Sequence, residues 1–198
     1  MEDFPNHVEG LKTRISNGDT AALNILYTYY FKRLKLYGIQ FSPKLNTFSI
    51  EDLIQELFIW IAKNHKKLKE IENLEVYLFC ALKKNIHQEI YKNENRQKLK
   101  NRFLKSTNAD LLERSPEKKI IESEKTTNEN SYVTSLLNTL PPKQKEVLYL
   151  RNYINLSYRE IATVMNLSEQ VVRNYGFRAL QKLREKALRN ANKINADY

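Results

Sequence analysis

The sequence predicts an all-α protein, two small helical domains joined by a flexible linker, the C-terminal one a helix-turn-helix. Three observations predict it. Apolar residues recur every three to four positions through most of the chain, the period of a helix that buries one face. Breakers are scarce, with 4 Gly and 5 Pro among 198 residues, while Leu, Lys and Glu, all good helix formers, are abundant. Ser, Asp and Asn also stand just ahead of several apolar runs, where helix caps belong.

Taken in order, Met1 to Gly10 is acidic and polar. Asp19 and Thr20 can cap a helix from about Ala21 to Tyr37, with Leu23, Leu26, Tyr27, Tyr30, Leu34 and Tyr37 on one face. Gly38 to Ser49 reads as a loop. Ser49 is expected to cap the next helix, with Asp52 as an acidic partner in a near capping box. That helix runs to about Asn64 and buries Ile50, Leu53, Ile54, Leu57, Phe58 and Ile61. A basic loop, His65 to Glu72, precedes a third helix from about Leu74 to Glu94, with Leu74, Leu78, Ala81, Leu82, Ile86 and Ile90 inward. From 95 to 131 apolar residues thin out and charges alternate, so this stretch is read as the linker between a domain at 1–94 and one at 132–198. Pro141 and Pro142 then open a helix over about Lys143 to Asn152, since a first turn has no intrahelical use for a proline N–H.

Composition narrows the function. The 33 Lys and Arg outnumber the 23 Asp and Glu, giving +10 and a pI near 9.5, which suits a polyanion partner. The excess gathers at the C-terminal end, from residue 132 onward. Cys80 is the single cysteine, so no intrachain disulfide forms, and its expected role is a small core residue. His7, His65 and His87 lack ligand spacing, so no metal and no cofactor is expected. No glycine-rich phosphate loop and no Gly-x-Ser-x-Gly nucleophile turn occurs, and an enzyme is not expected. No run of 18 apolar residues predicts a membrane span and the N-terminus lacks a signal core, so a cytoplasmic location is expected.

The densest signal lies between Ser157 and Leu183. Ser157 and Glu160 form a capping box; Ile161, Ala162 and Met165 face inward; Asn166 stands where the turn needs a left-handed residue. Ser168 caps a second helix, which Val172 packs back on the first. This helix would present Glu169, Gln170, Arg173, Asn174 and Arg178 to base edges in a major groove. Lys182, Arg184, Lys186, Arg189 and Lys193 continue it as a phosphate-binding tail. The bland alternative is a helical hairpin with a solvated basic face. Gly176 costs about 1 kcal/mol against alanine inside a helix, so it asks for a reason, such as close approach to DNA or to a neighbouring helix.

Three stretches, DLIQELF (Asp52 to Phe58), NLEVYLFCALKKN (Asn73 to Asn85) and LPPKQKEVLYLRNYINLSYREIATVMNLSEQVVRNYGFRALQKLRE (Leu140 to Glu185), resemble the RNA polymerase sigma factors of the extracytoplasmic-function type. The resemblance implies that the N-terminal domain holds the clamp coiled coil of the large subunit of core RNA polymerase through Asp52, Gln55, Glu56 and Ile59. It implies that Lys66, Lys67, Lys84 and His87 help to capture melted promoter DNA near the minus-10 element, where stacking surfaces and cations are needed. It implies that the C-terminal domain reads the minus-35 element, that the flap region of the polymerase is a further contact, and that an anti-sigma factor is an admissible partner. The chain departs from the usual family pattern at Lys84, Gln88 and Tyr91 in the third helix and at Val171 and Tyr175 in the recognition helix, so the promoter sequence does not carry over.

Two rivals stand beside this reading. A two-domain helix-turn-helix regulator would use the same DNA reader without delivering polymerase. A nucleic-acid enzyme would need a carboxylate cluster for metal, and Asp52 with Glu56, one turn apart, has no evident third partner.

Overall fold

The computed structural model describes residues 5–106 and 135–196, with side chains described at 10–103 and 135–189. Every regular element among them is helical. The elements with described bounds are α1 (Pro5–Ser16), α2 (Thr20–Phe41), α3 (Thr47–Lys63), the 3₁₀ helix η1 (His65–Glu70), α4 (Leu74–Ser106), α5 (Pro142–Asn152), α6 (Tyr158–Met165) and α7 (Glu169–Ala196), and residues 135–138 are helical as well.

α1 precedes the first helix expected. A helix-compatible proline opens it and two apolar residues one turn apart, Leu11 and Ile15, are buried, a short pattern that the polar N-terminus hid. Gly18, at φ 90°, turns the chain, and Asp19 caps α2 by accepting from the Ala22 N–H at 3.0 Å. Leu26, Tyr30, Leu34 and Tyr37 form the buried stripe of α2.

Two boundaries differ from expectation. α2 runs through Gly38 to Phe41, and the cap of α3 is Asn46, not Ser49: the Asn46 side chain accepts from the Ser49 N–H at 2.8 Å. Gly38 lies inside α2 for a steric reason. A Cβ there would stand 2.5 Å from Cγ2 of Ile50, so the glycine lets α2 and α3 cross closely. α4 likewise continues to Ser106, past the expected end at Glu94, so the start of the expected linker is helix. The rest of that linker, 107–131, and the first three residues of the expected C-terminal domain, 132–134, lie outside the described residues.

The interior of α3 is Ile50, Leu53, Ile54, Leu57, Phe58 and Ile61, as the periodicity predicts. α4 buries Leu74, Leu78, Leu82 and Ile86, with Ala81 and Ile90 at the edge, and adds Phe79. Cys80 is half-buried, and burial raises its thiol pKa.

The C-terminal helices do not stand apart from this core. Val147, Leu150, Ile161, Met165 and Val172 belong to one cluster with the N-terminal apolar residues, and α6 packs on α4. A smaller cluster, Leu140, Leu148 and Ala179, joins α5 to α7. Polar links cross the same boundary. Glu146, 8% exposed, accepts through Oε1 from the Tyr37 hydroxyl and from Lys83 Nζ, each at 2.6 Å. The Tyr149 hydroxyl donates to the Arg33 carbonyl at 3.1 Å. Asn73 caps α4 through its oxygen, on the Val76 N–H at 3.0 Å, and donates its amide nitrogen to Glu160 at 2.6 Å.

Candidate nucleic-acid and polymerase interfaces

The helix-turn-helix is built by local chemistry. Ser157 accepts from the Glu160 N–H at 3.2 Å, and the Glu160 carboxylate accepts from the Ser157 N–H at 2.7 Å, so both halves of the capping box are made. α6 ends at Asn166, φ 52° and ψ 52°, the left-handed conformation that asparagine tolerates. The Leu167 N–H reaches back to the Ala162 carbonyl at 3.0 Å and closes the turn. Ser168 accepts from the Val171 N–H at 3.4 Å, and fully buried Val172 seats α7 on α6.

On the outer side of α7, Gln170, Arg173, Asn174 and Arg178 are exposed, while Glu169 and Lys182 are half-buried. Four of them are paired one turn apart. Arg173 Nε donates to Glu169 Oε1 at 2.9 Å, with Nη2 on the same oxygen, and Gln170 donates to Asn174 at 3.3 Å. The helix therefore presents organised donors rather than loose ones. Arg184 and Arg189 are exposed farther along and Lys186 is half-buried; the side chain of Lys193 lies outside the described residues.

The four residues expected to meet polymerase share one outer face of α3. Asp52, Gln55, Glu56 and Ile59 are all exposed, Ile59 at 52%. Trp60 joins them at 40% exposure. Gln55 and Ile59 also line a shallow hollow with Leu23, Tyr27 and Phe58, so the acidic patch has an apolar border.

The basic candidates divide. Lys84 and His87 line a cleft between α4 and the turn of the helix-turn-helix, opposite Lys143, Asn166 and Leu167. Lys66 and Lys67 are exposed on η1, which packs on α1 and whose His65 ring nitrogen lies 3.0 Å from the Ser16 carbonyl oxygen. They do not line the cleft with Lys84 and His87.

Sequence reasoning missed the residues between the two halves. Glu146 reads as one more surface glutamate, and Tyr158 as the first residue after a cap. In the structure the Tyr158 ring has two guanidinium groups near it, with Arg151 Cζ 5.2 Å and Arg173 Cζ 5.0 Å from its centroid. Only the capping role of Glu160 gave a hint of its surroundings. Among the described residues no group of three His, Cys, Asp or Glu is placed to hold a metal ion, and no helix is long and apolar enough to cross a membrane.

Comparison with known proteins agrees with this geometry. The family described as sigma-70, region 4 matches residues 131–183, the span from the entry of α5 through the reading turns of α7. The fold is similar to that of CnrH, solved in complex with the cytosolic domain of CnrY, at TM-score 0.53 and 20% identity over 91% of this chain and 96% of that one. It is also similar to the sigma factor RpoE, in co-crystals with the anti-sigma factor NepR from Bartonella quintana, at TM-score 0.52 and 17% identity over 82% of this chain and 94% of that one. No curated protein sequence matches the chain. The comparisons thus show a sigma-70 region 4 segment over residues 131–183 and, for the described chain, the fold of these two structures.

Proposed function

We propose that this chain is a sigma factor of the extracytoplasmic-function type, which brings core RNA polymerase to promoters, reads the minus-35 element with α7 and assists melting with the face of α4 that carries Lys84 and His87. In this reading residues 1–94 form the unit that meets polymerase and the minus-10 region, and residues 132–198 form the minus-35 unit. The observation that carries it is the completed helix-turn-helix, in which cap, left-handed turn and buried Val172 aim Gln170, Arg173 and Asn174 outward. Arginine matches the acceptor pair of guanine and asparagine that of adenine, so these side chains carry the means of direct readout. Glu169, Arg178 and Lys182 complete the DNA-facing set.

Docking on the clamp coiled coil is assigned to Asp52, Gln55, Glu56 and Ile59. An exposed carboxylate pair beside an apolar edge has the charged rim and apolar centre that protein interfaces use. The flap region is taken as the second polymerase contact, made by the C-terminal unit. Melted DNA is assigned to Lys66, Lys67, Lys84 and His87. In the packed arrangement Lys84 and His87 look at the turn of the helix-turn-helix, so their use on DNA goes with separation of the two halves. The similar structures hold RpoE with an anti-sigma factor and CnrH with part of CnrY. On that likeness an anti-sigma protein is inferred as a partner here.

Transcription in vitro with purified core polymerase and genomic fragments tests this. Specific transcripts that depend on the added chain are expected. Reversing Asp52 and Glu56 together to lysine should abolish them through lost polymerase binding, with helix content and melting temperature unchanged. If the parent chain binds selected DNA without polymerase and yields no specific transcript, it is a regulator and not an initiation factor.

A further inference from the structure

Gly176 is the residue of α7 that helix propensity does not explain, and its neighbour supplies the reason. It is buried, and a Cβ at this position would stand 3.2 Å from both Cε1 and Oη of Tyr158. Such a separation is tighter than an ordinary carbon contact, so any side chain here would push the ring. The ring has little freedom to move. Arg151 lies 5.2 Å from its centroid and is itself tied by Nη1 to the Leu156 carbonyl at 2.9 Å; Arg173 lies 5.0 Å from the same centroid.

We propose that Tyr158 is a positioning residue for DNA reading: its ring, admitted against α7 by the bare backbone of Gly176, holds the Arg173 guanidinium where it meets a base edge. The proposal rests on α7 being the recognition helix and says how its central arginine is aimed. Two supports act on Arg173. The ring attracts it as a cation over a π face. Glu169 takes Nε and Nη2 along one edge of the fork. That leaves both hydrogens of Nη1 and the outer one of Nη2, the end of the fork that can donate a parallel pair to guanine O6 and N7. A free arginine loses rotamer entropy when it docks, and one already supported on two sides loses less. Tyr158 is at the first turn of α6 and Arg173 at the second turn of α7, so the ring also ties the reading side chain to the body of the motif.

The test uses holoenzyme assembled from core polymerase and the full chain. The probe is a set of duplexes that the parent holoenzyme enriches from a random-sequence pool, and the readout is the ratio of affinity for these to affinity for the unselected pool. Tyr158→Leu should lower this ratio about two- to fivefold, the range of one exposed cation–π contact, and leave affinity for the unselected pool unchanged. Tyr158→Phe keeps the ring and should keep the ratio. Gly176→Ala should lower the ratio, and the better helix propensity of alanine should offset part of what the overlap with the ring costs in stability. Adding Tyr158→Phe to Gly176→Ala removes one of the two close contacts and should restore part of the ratio. In an Arg173→Ala background, Tyr158→Leu should have no further effect. The positioning role is overturned if Arg173→Ala lowers the ratio while Tyr158→Leu, or Gly176→Ala where the leucine variant does not fold, leaves it intact. It is also overturned if Tyr158→Leu weakens both probes alike. If Arg173→Ala itself leaves the ratio intact, the assignment of α7 as base reader falls, and the positioning role falls with it.

Discussion

At the scale of single residues, one buried carboxylate, Glu146, and one half-buried one, Glu75, do most to distinguish this chain from a generic helical bundle. Glu146 is shared by the Tyr37 hydroxyl and the Lys83 ammonium. Burial, with Glu146 adding to it, pushes the Tyr37 pKa well above its ordinary value, so the phenol stays a donor. Glu146→Ala leaves a buried hydroxyl and a largely buried cation without their acceptor, and should cost about 2–3 kcal/mol in denaturant unfolding. Replacing Lys83 by Met as well should recover part of the loss. Glu75 behaves differently. Burial raises its pKa from 4.5 to about 6, against the hydrogen bond to Tyr30 and the charge of Arg33, with Glu160 adding to the rise. Its folded state therefore binds the proton more tightly than its unfolded state, so stability falls as pH rises from about 4.5 to about 6 and stays lower above that. The sum is about 2 kcal/mol at 1.36 kcal/mol per unit. Glu75→Gln should raise the melting temperature at pH 7–8 and flatten the profile between pH 4.5 and 6; an unchanged slope would refute the assignment.

At the scale of elements, the helices follow local rules and their crossings follow steric ones. The capping box of α6 and the left-handed Asn166 need no partner beyond the segment itself. The crossing of α2 and α3 does need one, because Gly38 is the point at which Ile50 approaches the backbone. Gly38→Ala gains helix propensity but forces overlap with a buried, branched side chain. Overpacking of this kind costs about 1–3 kcal/mol, more than the ~1 kcal/mol that alanine returns. The expected outcome is a lower melting temperature, with a pairing of Gly38→Ala and Ile50→Val less destabilised than the single variant. A Gly38→Ala protein as stable as the parent would mean that the crossing relaxes freely. Beyond Glu94, α4 continues with little burial: Arg96, Gln97, Lys98, Leu99 and Lys100 are good helix formers, and 95–103 are nearly all exposed.

At the scale of the whole molecule, the two halves are held by a continuous apolar core and by polar ties through Glu146 and Glu160. A protease site placed between residues 107 and 134 should therefore yield, after cleavage, two fragments that still elute together. Adding Glu146→Ala and Asn73→Ala, which remove the ties but leave the core, should make them separate at lower denaturant than in the parent. Immediate separation of the parent fragments without denaturant would mean that the packing does not persist in solution. The closed arrangement also carries a functional expectation: the α4 face with Lys84 and His87 opens onto the cleft beside Asn166 and Leu167. Variants that weaken the ties should bind single-stranded DNA more readily, measured by fluorescence anisotropy on the isolated chain.

What could be read from the chain alone is what depends on neighbours in sequence. The helical class, the buried stripes of α2 and α3, the outward placement of Asp52, Gln55, Glu56 and Ile59, and the caps and turn of the helix-turn-helix all follow from spacing within one or two turns. Even the misplaced cap of α3 was a local ambiguity, since Asn46 and Ser49 are both capping residues and stand three positions apart, the Asn46 side chain taking the Ser49 N–H. Tertiary structure alone decided the rest. Glu146 meets Tyr37 across 109 positions, and Asn73 meets Glu160 across 87. Periodicity sorts residues into inner and outer faces, but it holds no information on which outer face another helix will cover. For the same reason Gly176 stood unexplained until the ring of Tyr158 was seen against it: a glycine records that space is needed, and only the folded chain shows what fills it.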